Sequence, residues 1–191
     1  GGLFGGHAVL CVCGEGKVNA SFAATALVKD FGVKALLNLG VAGAASPSLG
    51  LYDVVAGDSA IQYDFDLSYV GDLRRGQLPG FDDEFIPLYD GYVKGFEKLG
   101  LRCGRLATID TFRYNKENLE FLRRNNVLAE DMEIAAIAQV AEFMGVRVAS
   151  VKSISNAIAE NGGDEFGASL FKAIDAYVRL LPDIVNVVRG E

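Results

Sequence analysis

Short apolar runs alternate with segments of helical periodicity along this chain, and no other feature limits its fold as strongly. Residues 8–13, 35–39 and 146–154 are mainly apolar over the length of a strand, which is typical of strands covered on both faces. Residues 17–31 and 132–144 repeat apolar side chains at the spacing of one helix face. This alternation predicts an α/β fold in three layers, in which helices flank a central mixed, mostly parallel sheet.

The rest of the chain extends the same order of elements. Further strands are expected at 53–61 and 103–109, and further helices at 89–99, 116–125 and 164–188, where Pro182 should bend or restart the helix. The segments between them, including 40–50 and 68–87, are expected to be loops. In open sheets of this class, ligands bind outside the carboxyl ends of the strands. We therefore expect the chemistry at residues 14–16, 40–45, 109–113 and 155–156.

Length and composition are those of one globular domain. Half of the 191 residues are apolar, which suffices for a core without disulfides or metals, and we expect residues 1–191 to form a single domain. The net charge of −7 argues against a nucleic-acid partner, because such proteins need a basic face. No apolar run reaches the length of a membrane span, and no leader pattern is present. We therefore expect a cytoplasmic protein with no membrane partner.

Cysteine and histidine offer little chemistry. The three cysteines, Cys11, Cys13 and Cys103, lack the spacing of a zinc site or of a disulfide framework, so no metal is expected. Cys11 and Cys13 have strand spacing and are predicted to be buried, reduced thiols. His7 is the only histidine, and its neighbouring glycines favour a turn. Acid–base chemistry must therefore rest on carboxylates.

Two glycine-containing motifs follow predicted strands. Residues 14–17 (GEGK) open a helix, where backbone N–H groups favour an anion or a sugar, although a tight turn explains the motif equally well. This motif lacks the third glycine of a dinucleotide site and the pattern of a P-loop. In residues 38–44 (NLGVAGA), Gly40 and Gly43 permit a ligand to approach the backbone closely, or a neighbouring helix to do so.

Two polar motifs each have two explanations. Residues 130–133 (EDME) begin a predicted helix, where acidic side chains are favoured by the helix dipole. The alternative is that one of these carboxylates accepts hydrogen bonds from a substrate diol. Ser155 and Asn156 end the most apolar strand and serve either a turn or a ligand. An amide offers an acceptor and two donors but cannot deliver a full proton.

Taken in this order, the motifs resemble the nucleoside phosphorylase/nucleosidase superfamily, and within it most closely the 5'-methylthioadenosine/S-adenosylhomocysteine nucleosidases. The resemblance implies a mixed sheet partly closed like a barrel, hydrolysis of the N-glycosidic bond of purine nucleosides, no cofactor and a homodimer. The matching segments run through nearly the whole chain: CGEGKVNAS (13–21), NLGVAGAAS (38–46), YDVVAGDSAIQYDFDLS (52–68), RGQLPG (75–80), ATIDTF (107–112), EDMEIAAIAQVA (130–141) and VKSISNAI (151–158).

The resemblance also implies roles for individual residues. Glu133 looks like the carboxylate that binds the ribose hydroxyls and stabilises the positive sugar. Asn156 occupies the position of the residue that contacts purine N7. The other implied substrate-binding residues are Met132 against the sugar, Phe112 stacked on the purine, Gly43 beneath the ribose, and Val41, Asp131, Lys152 and Ser155 around them.

Three positions depart from the family pattern. Asn156 stands where the adenosine-specific hydrolases have Asp, and Asn occurs in relatives that act on 6-oxopurines, including futalosine hydrolases and some purine nucleoside phosphorylases. Val41 replaces a Ser or Thr that contacts water or phosphate, which disfavours phosphorolysis. Lys152 replaces an arginine. The family's water-activating glutamate lies on a strand expected to precede this chain, with Glu15 as a conceivable substitute.

These departures leave three functions open. The leading expectation is a hydrolytic purine nucleosidase of the methylthioadenosine type. The second is a 6-oxopurine nucleosidase, like futalosine hydrolase, or a purine nucleoside phosphorylase. The third is a catalytically weak nucleoside-binding protein.

Overall fold

The computed structural model describes residues 8–190, which form a mixed sheet flanked by helices. The helices are α1 (Lys17–Phe31), α2 (Asp90–Lys98), α3 (Lys116–Arg124), α4 (Ile134–Met144), α5 (Gly162–Val178) and α6 (Leu181–Arg189). The strands are β1 (Ala35–Ala44), β2 (Val54–Gln62), β3 (Ile86–Pro87), β4 (Arg102–Thr108), β5 (Val127–Asp131) and β6 (Arg147–Ala157). The expected α/β class is confirmed.

The sheet closes on itself. Its strand order is β3-β2-β4-β5-β1-β6, and β6 also pairs with β2. The longest ladders, β1 with β6 and β2 with β4, are parallel, whereas β1 with β5 and β2 with β6 are antiparallel. The sheet is therefore mixed and mostly parallel, as expected, and it forms a barrel rather than an open layer.

The helices cover the barrel because their apolar faces need burial. The α4 helix buries Ile134 to Ala138 and Ala141, and α1 packs against it through Ala20 and Ala24. Both helices end at a glycine in the left-handed conformation, Gly32 and Gly145, which satisfies the last carbonyls. The alanine-rich surfaces let α1 and α4 lie close together and bring the first turn of α1 to the end of β5.

Four expectations for local structure need correction. Residues 8–13 do not form a strand, and Leu10 and Val12 are exposed, because no strand among residues 8–190 pairs with them. Cys11 is accordingly exposed and Cys13 only half-buried. The β1 strand continues to Ala44 through the glycines that were expected to form a loop.

The fourth correction concerns residues 130 and 131, which belong to strand β5 rather than to a helix. The break near Pro182 is confirmed, because α6 begins there. The turn expected at His7 lies outside the described residues. Among the described helices, none has both the length and the apolar composition needed to cross a bilayer.

The register brings the carboxyl ends of five strands together. Gly43 on β1 lies opposite Glu130 on β5 and opposite Asn156 on β6. Asp131 on β5 lies opposite Thr108 on β4, which in turn lies opposite Gln62 on β2. This edge of the barrel is where the sequence placed the candidate site.

Candidate active site

A fully buried ion pair lies at the centre of this edge. The Lys152 ammonium is 2.7 Å from a carboxylate oxygen of Asp131 and 3.6 Å from one of Glu133. The side chains of Lys152 and Asp131 are each 1% exposed. Gly40, opposite Lys152 in the register, leaves space for the ammonium, since a Cβ there would lie 3.2 Å from Nζ.

Asp131, not Glu133, caps the α4 helix. Both oxygens of Asp131 accept the Ile134 N–H, at 3.2 and 3.0 Å, and one also accepts the Thr108 hydroxyl at 2.6 Å. Glu133 is the N-cap residue by position, but its side chain makes no cap hydrogen bond. The structure thus separates the two explanations of the EDME motif: Asp131 is structural, and Glu133 is available for other partners.

The Glu133 carboxylate is held at the surface of the barrel end. Its Oε1 accepts the Gly16 N–H at 3.1 Å, and its Oε2 faces Lys152. Burial raises the pKa of Glu133, while the Lys152 ammonium opposes that rise. A half-buried carboxylate with one weakly engaged oxygen can accept hydrogen bonds from vicinal hydroxyls.

Carboxylates occupy the amino end of α1. The Gly16 N–H donates to Glu133, and the Lys17 N–H donates to Asp110 Oδ1 at 3.0 Å. The Lys17 ammonium pairs with Asp64 at 2.5 Å and with Asp110 at 3.2 Å. Two of the backbone donors that could hold a free anion at this helix start, those of Gly16 and Lys17, are therefore already bonded to side chains of the protein. Glu15 itself is exposed.

Asn156 lies in a niche formed by two glycines. It is 5% exposed, its Oδ1 accepts the Ser155 hydroxyl at 2.9 Å, and its Nδ2 donates to the Ala157 carbonyl at 3.0 Å. A Cβ on Gly43 would lie 3.2 Å from Nδ2, and one on Gly162 would lie 3.4 Å from it. Ser155 thus fixes the orientation of the amide, whose second N–H has no partner among the described residues.

Phe112 lies on the loop after β4 and reaches the first turn of α5. Its ring packs edge-to-face on Phe166 with centroids 5.3 Å apart, and it is 57% exposed. A Cβ on Gly163 would lie 4.0 Å from the Phe112 ring. The start of α5 therefore joins Phe112 to Asn156, through Gly163 and Gly162. Phe166 was not predicted as a site residue, because a phenylalanine within a helix is most simply explained by packing.

Val41 and Met132 differ in how they lie relative to the buried ion pair. Val41 lies opposite Ser153, and because neighbours along a strand point to opposite faces, its side chain points away from the face shared by Gly40 and Lys152. Val41 is half-buried there. Met132 is half-buried in the turn between β5 and α4, next to Glu133. The structure thus brings Asp131, Glu133 and Lys152 together and points Val41 to the other face of β1, the one that Gly43 shares.

Glu130 is a further carboxyl group at this edge that was not among the predicted site residues. The Tyr63 hydroxyl donates a short hydrogen bond to Glu130 Oε2. Burial raises the pKa of Glu130 to about 7, and the Tyr63 hydrogen bond opposes that rise. Its signal in the sequence is a second acidic residue in a strand that is otherwise apolar.

A cavity of about 450 Å³ lies beside the amide end of the site, between α3 and residues 158–161. Its lining includes Tyr114, Arg123 and Ile158. Ile158 also borders Gly43, since a Cβ there would lie 3.1 Å from Ile158 Cγ1. Glu133 and Asn156 do not line this cavity, so Ile158 separates it from the niche.

Comparison with known proteins gives concordant results. A family model described as the phosphorylase superfamily matches residues 1–185. The 5'-methylthioadenosine/S-adenosylhomocysteine nucleosidase of Anoxybacillus flavithermus is 30% identical over 194 residues, which cover 97% of this chain and 83% of the relative.

Solved structures agree with the sequence comparisons. The corresponding Helicobacter pylori nucleosidase, in complex with a pyrrolopyrimidine–pyrrolidinol compound, superposes with a TM-score of 0.85 at 29% identity over 91% of this chain and 77% of that one. The futalosine hydrolase of Helicobacter pylori superposes with a TM-score of 0.86 at 29% identity over the same shares.

Proposed function

Because the chain belongs to the phosphorylase superfamily, we propose that it hydrolyses the N-glycosidic bond of purine nucleosides, in the manner of a methylthioadenosine/S-adenosylhomocysteine nucleosidase. The observation that carries this proposal is the carboxyl edge of the barrel, where Glu133 faces a buried lysine and Asn156 lies in a glycine niche. Relatives with that activity are similar over nearly the whole chain. No cofactor is required.

The charges at this edge suit the bond that breaks. When water attacks C1' and the bond between C1' and N9 breaks, the electron pair of that bond goes to the purine, and positive charge develops on the sugar in the transition state. The water oxygen becomes the hydroxyl on C1', and the proton that it loses ends on the released base. Glu133, held by Gly16 and Lys152, would accept hydrogen bonds from the ribose hydroxyls and stabilise that charge. The unpartnered N–H of Asn156 would donate to N7 of the purine as it becomes negative.

The remaining residues would orient the substrate. Phe112, exposed beside Asn156, would stack on the base, and Met132 would contact the sugar. Gly43 lets Ile158 and the Asn156 amide approach the backbone closely, since a Cβ there would lie 3.1 and 3.2 Å from them. Fixed orientation of base and sugar supplies a large part of the rate. Three residues would act indirectly. Lys152 faces Glu133 and pairs with Asp131, and the Ser155 hydroxyl donates to Asn156.

The electrostatics at α1 favour water over phosphate as the nucleophile. The backbone donors of Gly16 and Lys17 are bonded to carboxylates, and Lys17 is flanked by Asp64 and Asp110. A phosphate would have to displace these carboxylates and lie next to like charge. Val41 offers no hydroxyl to compensate. Phosphorolysis is therefore the less favoured reaction.

A second candidate is a nucleosidase for 6-oxopurines such as futalosine. Asn156 favours it, because Asn occurs at this position in relatives that act on 6-oxopurines, and an amide can hydrogen-bond the base but cannot protonate it. The structural similarity to a futalosine hydrolase supports the same alternative.

The direct test is release of free base from methylthioadenosine, S-adenosylhomocysteine, inosine and futalosine, with and without phosphate. Base release that is independent of phosphate is expected. Turnover that requires phosphate would contradict the hydrolase assignment. Tight nucleoside binding in calorimetry without base release would instead identify a catalytically weak binding protein.

We also propose that the chain forms a homodimer in the cytoplasm. The Ile and Ala side chains of α4 are buried within the chain, but Phe143 at its end and Val18 and Phe22 on the adjoining α1 are exposed, which is typical of an interface. Sedimentation at micromolar concentration should give a dimer; a monomer would contradict the proposal. Cell fractionation tests the location.

A further inference from the structure

Glu130 lies in one row with Gly43 and Asn156 across three neighbouring strands. Glu130 on β5 is directly opposite Gly43, and Gly43 is directly opposite Asn156. Side chains of directly opposed residues point to the same face of a sheet. A Cβ on Gly43 would lie 3.2 Å from the Asn156 amide, which confirms that this face is the one on which the amide lies. Gly43 therefore carries no side chain between the Glu130 carboxyl group and the Asn156 amide, and Ile158 packs closely beside it, since a Cβ on Gly43 would lie 3.1 Å from Ile158 Cγ1.

The hydrogen bonding of Glu130 leaves one oxygen free. Oε2 accepts the Tyr63 hydroxyl, and Oε1 has no hydrogen-bond partner among residues 8–190. Burial raises the pKa of Tyr63 above its usual value of 10.0, so the hydroxyl keeps its proton and remains the donor. When Glu130 carries a proton, that proton lies on Oε1, where it is available to a ligand.

Within residues 8–190, the charged groups around Glu130 do not include a close cation. Tyr63 lies at the end of β2 with Asp64 beside it, Asp131 follows on β5, and both aspartates oppose ionisation of Glu130. The Arg75 guanidinium lies over the Tyr63 ring, 5.1 Å from its centroid, and donates to the Tyr63 carbonyl. From α3, Arg123 reaches the same sheet end but donates to the Ala45 carbonyl. Glu130 is thus held as a neutral acid up to about neutral pH.

From this arrangement we infer that Glu130 is a second base-contacting residue, which donates a hydrogen bond from its neutral carboxyl group to the purine held by Asn156. This inference rests on the proposed function, since it requires a purine at the Asn156 amide. The neutral Glu130 carboxyl group supplies a strong donor that Asn156 lacks, because a carboxylic acid is a stronger hydrogen-bond donor to a developing anion than an amide is. Ionised Glu130 would instead repel a base that gains negative charge.

The test is the pH dependence of turnover and of base binding in Glu130→Gln. For the wild-type protein we expect kcat/KM to fall as the pH rises through about 7, and the affinity for adenine or hypoxanthine in calorimetry to fall about tenfold between pH 6 and pH 8. In Glu130→Gln, both decreases should disappear, because the amide does not titrate. Glu120→Gln, an exposed carboxylate on α3, is the matched control and should behave as wild type.

A second variant separates contact from structural support. Tyr63→Phe removes the hydrogen bond that lowers the pKa of Glu130, so the decrease in kcat/KM should move to higher pH without disappearing. If Glu130→Gln keeps the wild-type pH profile and the wild-type ratio of adenosine to inosine turnover, the inference about Glu130 is wrong while the proposed function stands. If the wild-type protein neither releases nor binds a purine, both are overturned.

Discussion

Lys152→Met provides the sharpest test of the buried ion pair. The substitution keeps the length of the side chain but removes a cation that is 2.7 Å from Asp131 and 3.6 Å from Glu133. Asp131 is 1% exposed, so its charge cannot be compensated by water. Removing one partner of such a pair costs about 3–5 kcal/mol, because an unpaired charge stays buried. For a chain of this size, that loss lowers Tm by roughly 10 °C.

The sign of the pH dependence strengthens this test. Lys152 opposes the rise in the pKa of Glu133, so without the lysine that pKa should rise further. A carboxyl group whose pKa is higher in the folded state destabilises the fold increasingly as pH rises above its unfolded value. The destabilisation of Lys152→Met should therefore be largest at pH 8 and shrink towards pH 5.

Thermal melts of Lys152→Met and of the charge-conserving control Lys152→Arg, at pH 5 and pH 8, supply the measurement. The arginine variant should retain most of the stability at both values. A methionine variant that melts within 2 °C of wild type at pH 8, a limit set from the roughly 2–4 °C expected per kcal/mol, would refute the view that the pair holds this end of the barrel together.

Three further predictions concern single side chains at the same edge. Glu133→Gln should lower kcat by about 100-fold, because the positive sugar loses its counter-charge; unchanged base release would make Glu133 structural. Glu130→Gln should unfold at a higher urea concentration than wild type at pH 8 but not at pH 4.5. The reason is that burial raises the pKa of Glu130 from 4.5 to about 7, so ionisation of this group costs the folded state about 3 kcal/mol. Equal unfolding midpoints at pH 8 would contradict the burial of Glu130 as an acid. Gly43→Ala should raise KM, because the new methyl would lie 3.1 Å from Ile158 and 3.2 Å from Asn156 and would displace the amide; an unchanged KM in steady-state assays would show that the position of the amide does not matter for substrate binding.

The sequence predicted the alternation of elements well, because each strand and helix carries its own periodicity. The α1 helix was predicted with its correct bounds, and Gly32 was recognised as its end. Strand β5 was missed because residues 127–131 end in two acidic side chains, which resemble the first turn of the helix that follows. Only the ladders with β1 and β4 make these residues a strand.

The candidate site was predictable to the extent that it lies at strand ends. Glu133 and Asn156 follow from the motif order, and the register places Asn156 opposite Gly43. The roles of Asp131 as a helix cap and of Glu130 as a buried acid depend on which face each side chain takes, and residue types alone do not fix that. The strand predicted at residues 8–13 was wrong for a related reason. Apolar composition makes burial favourable, but it does not supply a neighbouring strand to pair with.

Ring closure has a consequence for how the folded chain avoids association through its backbone. The first half of β2 pairs with β6, and its second half pairs with β3 on the way to the carboxyl end. Among the described strands, β3 is the one that begins the strand order, and it has two residues, the second of them Pro87. A proline has no N–H to offer an incoming strand, and two residues give little template for one. Association at the β3 end of the sheet should therefore use side chains and helix surfaces rather than an added strand.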